Sequence, residues 1–194
     1  MQQAYEDTLR RLKIDYLDLF LVHWPWFNYE FMYQGMNELY KHGRVRAIGV
    51  SSFEPHHIDT ILGKDQSENW VVPSVNQFEM SSFGQRKYLT SYCKKHHIQC
   101  EAFSQFAVPA GASASLLLEN EDLIEIASSH SKSTSQIVLR WLYQEGVVCI
   151  PRSKTESRIR ENIDIFDFRL SEEEMTIIRS LDKEQYTRPR KLKK

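Results

Sequence analysis

Cysteine is scarce in this chain. Cys93, Cys100 and Cys149 are the three among 194 residues. An odd, sparse count offers no disulfide framework and points to a reducing compartment. Long apolar runs are missing too. No stretch approaches the ~20 residues of a membrane span. Residues 1–30 show no secretory pattern, because Arg10, Arg11 and Lys13 fall between short apolar stretches. A cytoplasmic location is the expectation, with no membrane partner. Charge of one sign is also lacking. The formal net charge is -1, so no global field attracts nucleic acid. The basic end (Arg188, Arg190, Lys191, Lys193, Lys194) reads as a solvated tail. No Gly-x-Gly-x-x-Gly occurs, which counts against a doubly wound dinucleotide-binding sheet. What is present, 41% apolar and 26% charged residues, suits a globular domain with a sizeable core.

The apolar patterning alternates between two periods. Residues 4–13 carry helix formers, and the run 16–24 reads as a strand. Helical spacing returns over 29–42, with Gly43 as its C-cap. A strand at 45–50, a helix at 55–62, a strand at 74–78, a helix at 84–97 and a strand at 99–104 follow. Residues 105–118, with Pro109, Gly111, Ala112 and Ser113, read as a long loop. Helices at 123–130 and 135–144, a strand at 147–151 and a helix at 155–162 come next. The last helix covers 172–181 behind the cap Ser171. Strands alternating with helices imply parallel βα units. A barrel within one domain over residues 1–194 is the expected fold, its strand C-terminal ends facing the active site.

Several polar groups stand at those ends. His23 closes the run Leu17-Asp18-Leu19-Phe20-Leu21-Val22. Its imidazole suits proton transfer or polarisation of a carbonyl, although a histidine there is more often a satisfied core or rim residue. Trp24, Trp26, Phe27 and Tyr29 follow as a potential pocket wall. Ser51, Ser52, Asn76, Gln77 and Ser104 could hydrogen-bond a ligand amide or merely cap strand ends. Ser153 and Glu156 have capping-box spacing, predicting a helix start after the strand at 147–151. Arg152, Lys154 and Arg158 add positive charge there, so the segment reads as a phosphate site or as an ordinary capped helix with solvated cations. Cys93-x-x-His96-His97-x-x-Cys100 has zinc-like spacing, but it spans a helix end and a strand start, so its ligands should diverge. No metal is expected. Cys149 reads as an inert core thiol.

Five of these segments, in order, resemble the aldo-keto reductases. Leu12-x-x-Asp15-Tyr16-Leu17-Asp18-Leu19-x-Leu21-x-His23-Trp24-Pro25 is similar to the family's fourth-strand signature. Gly43 to Phe53 resembles its fifth, Val75-Asn76-Gln77-Phe78-Glu79 its sixth and Glu101-Ala102-Phe103-Ser104 its seventh. Ile150-Pro151-Arg152-Ser153 with Arg158-Ile159-x-Glu161-Asn162 resembles the eighth strand and its cofactor motif. The His-Trp-Pro form is similar to the microbial branch that includes diketogluconate reductases. The resemblance implies strands four to eight of a (β/α)8 barrel and NADPH-dependent reduction of an aldehyde or ketone to an alcohol. It implies that His23 orients the carbonyl and that Trp24 and Trp26 line the substrate pocket. Phe103 would stack on the nicotinamide, with Ser104 beside it. Ser51, Ser52 and Gln77 would hold the carboxamide, Ser52 standing where the family usually has Asn. Arg152, Ser153 and Arg158 would hold the 2′-phosphate, and Glu161 and Asn162 the adenine. Gln105 departs from the family's usual Pro.

The resemblance also implies a tyrosine proton donor, with a Lys and an Asp, ahead of the histidine strand. About 22 residues precede His23 and none matches. The expectation is therefore a chain that lacks the first three βα units, reduces slowly alone and self-associates through open sheet edges, whereas the full-length form is monomeric. A non-catalytic NADPH-binding module and a gene remnant are the alternatives.

Overall fold

The computed structural model describes residues 1–106 and 115–187. The loop residues Pro109, Gly111, Ala112 and Ser113 and the basic tail from Arg188 lie outside them. Nine helices and five strands are described: α1 Gln2–Leu12, β1 Leu17–Val22, α2 Tyr29–Lys41, β2 Val45–Ser51, α3 Pro55–Glu68, β3 Val75–Glu79, α4 Lys87–Lys95, β4 Gln99–Phe103, α5 Ser115–Leu118, α6 Glu121–Ser129, α7 Thr134–Gln144, β5 Val148–Cys149, α8 Glu156–Ile163 and α9 Glu172–Ser180. The strands are parallel and ordered β1-β2-β3-β4-β5. The chain divides into two compact units, residues 1–78 with 88–100, and 79–87 with 101 onward.

In the first unit, β1 pairs with β2 from Leu17↔Val45 to Val22↔Val50. The β2–β3 register sets Val50 opposite Asn76 and Ser51 opposite Gln77. The core is apolar and aromatic, with Tyr5, Val22, Tyr33, Met36, Ile48, Val50, Phe53 and Ile58 buried. Tyr5 and Leu9 are one helical turn apart and form the buried stripe of α1. Gly49 permits close strand approach, because a Cβ there would lie 2.7 Å from both the Leu21 side chain and the Val75 carbonyl. Gly43 is not the C-cap of α2. His42 takes that place, and Gly43 follows it in the left-handed region at φ 67°.

In the second unit, β4 pairs with β5 through Glu101↔Val148 and Ala102↔Cys149. α7 is the central helix, burying seven consecutive residues from Gln136 to Leu142. Its start is a capping box between Ser133 and Gln136, and Ser171 with Glu174 forms another ahead of α9. Residues 182–187 lie over residues 79–87. Lys183 and Gln185 donate their N–H groups to the Phe83 carbonyl at 2.9 and 3.0 Å. The Thr187 N–H and hydroxyl donate to the buried Glu79 carboxylate at 2.6 and 2.7 Å. The stretch read as a loop up to residue 118 ends in the short helix α5.

Candidate active site

The C-terminal ends of β1, β2 and β3 carry His23, Ser51, Ser52 and Gln77. His23 directly follows Val22, and Val22 is level with Val50, so His23 and Ser51 leave their strands at the same height. His23 is exposed, and its ring lies 5.7 Å from that of Trp24. Ser51 and Gln77 are register partners, so their side chains share one sheet face. Ser52 lies past the strand at φ 61°, in the left-handed region, with its N–H donating to the Gln77 carbonyl at 2.7 Å. Trp26 is 65% exposed and Phe27 fully exposed, whereas Tyr29 packs edge-on to Phe53 at 5.2 Å.

Asn76 departs from the ligand-facing reading. Its neighbour Gln77 is on the opposite face of the strand. Asn76 is buried and donates Nδ2 to the Phe53 carbonyl at 3.0 Å and to Cys93 Sγ at 3.6 Å. It fastens the chain after β2 rather than reaching for a ligand. The zinc-like motif also differs from expectation. Its cysteines converge, because His97 at φ 56° turns the chain back and lets Ile98 N–H reach the Cys93 carbonyl at 2.9 Å. The Cys93 hydrogen bond and burial push the Cys100 thiol up. His96 instead packs on Tyr92 at 4.6 Å, and His97 is exposed. Among the described residues no cluster of three or more His, Cys, Asp or Glu could hold a metal. Burial pushes the Cys149 thiol up to about 12, which keeps it in the unreactive protonated form.

Among the described residues of the second unit, two of the cavities adjoin each other. One, of about 360 Å³, is lined by Phe103, Ser104, Gln105, Phe106, Ile150 and Arg152. Ser104 has φ 56°, and Gln105 turns its amide back onto the Ala102 carbonyl, so this residue braces the end of β4 from inside. The other cavity, of about 440 Å³, gathers Arg152, Ser153, Arg158, Glu161 and Asn162 against Phe106 and Leu118, with Ser135 beside them. Five of the residues singled out in the cofactor motif thus share one wall. The Ser153–Glu156 capping box does not form. Ser153 Oγ accepts the Thr155 N–H at 3.1 Å, Thr155 is the N-cap of α8, and Glu156 pairs with Arg160 at 2.8 Å.

The donor set fits a phosphorylated dinucleotide. Two guanidiniums and a hydroxyl suit a phosphate monoester, Phe106 and Leu118 offer apolar surface to a planar base, and Glu161 with Asn162 offers acceptors to amino groups. Phe106, Leu118 and Ser135 escaped the sequence reading. Phe106 and Leu118 fall in the stretch that reads as featureless loop. Ser135 was legible, since Ser133-x-x-Gln136 marks a helix start whose first turn holds it.

Residues 1–183 match the Aldo/keto reductase family. The chain belongs to that family. Among aldo-keto reductase relatives, the glyoxal reductase of Bacillus subtilis (strain 168) is 46% identical over 187 residues, a match covering 96% of this chain and 64% of that protein. The methylglyoxal reductase DkgA of Escherichia coli (strain K12) is 36% identical over 184 residues, covering 93% and 64%. The chain therefore spans about two thirds of these relatives' length. MGS-M4, an aldo-keto reductase enzyme from a Medee basin deep-sea metagenome library, superposes with TM-score 0.88 at 38% identity, over 96% of this chain and 67% of that one. The aldo-keto reductase AKR2E5, crystallised with NADPH, gives TM-score 0.84 at 30% identity over 94% and 59%. No helix among the described residues is long and apolar enough to cross a membrane.

Proposed function

We propose that this chain is the NADPH-holding part of a carbonyl reductase, its five strands corresponding to strands four to eight of an eight-stranded barrel. The observation that carries the reading is the cavity shared by Arg152, Ser153, Arg158, Glu161, Asn162 and Phe106. Among the described residues no carboxylate pairs with Arg152 or Arg158, so both guanidiniums are available to a 2′-phosphate. Bound NADPH supplies a hydride to an aldehyde or ketone. In the first unit Ser51 and Gln77, side by side on one face with Ser52 at the turn beyond them, offer hydrogen bonds to a carboxamide, and in the second unit Phe103 with Ser104 offers an aromatic face to a ring. His23 donates a hydrogen bond to the carbonyl oxygen and orients it. The glyoxal and methylglyoxal reductases among the relatives favour short dicarbonyls as substrates.

A non-catalytic NADPH-binding module is the second reading. In that reading the cavity of Arg152, Ser153 and Arg158 binds the nucleotide without a tyrosine proton donor. Without such a donor, reduction is expected to fall by about 10²–10⁴-fold. Binding is therefore the primary test. In a fluorescence titration, Arg152→Ala with Arg158→Ala is expected to weaken NADPH by about 10–100-fold and NADH by less than about threefold. Equal losses for both nucleotides would remove the phosphate assignment. His23→Ala should leave NADPH binding intact while abolishing residual dicarbonyl reduction.

A further inference from the structure

α8 carries Arg158, Glu161 and Asn162 to the cavity, yet it buries none of its residues. Ile159 is 54% and Ile163 68% exposed. Apolar burial therefore does little to fix this helix, and its placement depends on polar ties. Those ties come from the start of α7. Gln136 Nε2 donates to the Asp164 carbonyl at 2.6 Å and to its carboxylate at 3.2 Å. Lys132 Nζ pairs with Asp164 at 2.9 Å and with Asp167 at 2.8 Å. Ser133 makes the remaining tie, through the one proton of its hydroxyl. Its Oγ accepts the Gln136 N–H at 3.3 Å as the helix cap and donates to Glu161 Oε1.

Glu161 has another possible partner. Arg158 is three residues earlier on α8, a spacing at which opposite charges pair on a helix surface. Both residues line the same cavity. A carboxylate on Arg158 would neutralise the group needed for a phosphate. In the structure Glu161 turns to Ser133 instead, and Arg158 has no described acidic partner. We infer that Ser133 is a positioning residue that sets cofactor choice: by holding Glu161 on the α7 cap, it keeps Arg158 open for a 2′-phosphate and so favours NADPH over NADH. The inference rests on the cofactor reading proposed above.

The test is the ratio of NADPH to NADH affinity by fluorescence titration in the full 194-residue chain. Ser133→Ala should lower that ratio by about two- to fivefold, the fold-change worth of an exposed ion pair. Ser133→Thr, which keeps the hydroxyl, should restore it. Ser133→Ala combined with Glu161→Gln should also restore it, because no carboxylate remains to occupy Arg158. A merely structural cap would weaken both nucleotides alike and would not be rescued by removing the charge at Glu161. Ser133→Gly serves where the alanine variant does not fold, since glycine is better tolerated than alanine at an N-cap. A ratio unchanged in the folded Ala or Gly variant, or unrescued by Glu161→Gln, overturns the inference. A wild-type chain that binds neither nucleotide, or both equally, overturns the cofactor reading itself.

Discussion

Replacing Gly84 by alanine probes how residues 182–187 are seated on residues 79–87. A Cβ at Gly84 would stand 2.2 Å from the Gln185 carbonyl oxygen and 2.8 Å from the Tyr186 ring. One side must retreat by about 1 Å to regain ordinary van der Waals separation. Gly84 is held in place, since it exchanges backbone hydrogen bonds of 3.2 Å with Ser81 in both directions. The C-terminal segment therefore moves. That motion stretches the bonds from Lys183 and Gln185 to the Phe83 carbonyl and draws Thr187 off the Glu79 carboxylate. A neutral hydrogen bond contributes about 1 kcal/mol net and one to a charged acceptor about 1.5–3 kcal/mol. Partial loss of the set gives an expected destabilisation of about 2–4 kcal/mol. Urea unfolding reads this as a lower midpoint at unchanged slope. Glu79→Gln alone should cost about 1.5–3 kcal/mol, because its amide N–H₂ would oppose one of the Thr187 donors. The double variant should lose less than the sum, since both changes free the same segment. A Gly84→Ala chain within about 0.5 kcal/mol of wild type, or strict additivity with Glu79→Gln, would refute the seating.

His57 makes stability depend on pH. Burial, and then the charge of His56, lowers its pKa from 6.5 to about 4. Its Nδ1 accepts the Glu54 N–H at 3.1 Å, which requires the unprotonated nitrogen. The folded state therefore favours neutral imidazole, and the contribution is full above pH 6.5 and lost as pH falls toward 4. Allowing for solvent screening of a half-exposed ring, the loss is about 1–2 kcal/mol. Unfolding at pH 7.5 and pH 4.5 should show this slope in wild type and a shallower one in His57→Gln; identical slopes would remove His57 as its source. Ser52, strained at φ 61°, should accept Asn or Gly with a gain of about 0.5–1 kcal/mol, read as a Tm rise. A Tm that falls would show that the serine side chain makes a compensating contact.

The alternation of strands and helices was legible because apolar periods of two and near 3.6 need no knowledge of tertiary contacts. Helix starts were less so. Ser171 with Glu174 and Ser153 with Glu156 share one spacing, but only the first forms a box. In the second, Glu156 has Arg160 one turn away and pairs with it. Ser133 with Gln136 was overlooked because the apolar pattern of α7 begins after its cap. Asn76 and Gln77 look alike as strand-end amides, and only the register decides which faces the helices. The cysteines of the zinc-like motif converge through a left-handed turn at His97, where no glycine stands to announce it. The cavity residues after β5 were legible because they lie close together in sequence. Phe106 and Leu118 were not, because a loop has no period to read.

Glu79 and Thr187 are 108 residues apart in the chain. At roughly 5–20 residues per second of synthesis, roughly 5–20 s separate the making of the two. Throughout that interval the Glu79 carboxylate, 8% exposed in the finished fold, lacks both of its Thr187 donors. The Phe83 carbonyl likewise waits for Lys183 and Gln185. Closing so long a loop carries an entropic cost that local contacts do not offset. The second unit thus gains these ties only once residues 182–187 have emerged, and a nascent chain arrested before residue 182 should remain open to protease around residues 79–87 until elongation resumes.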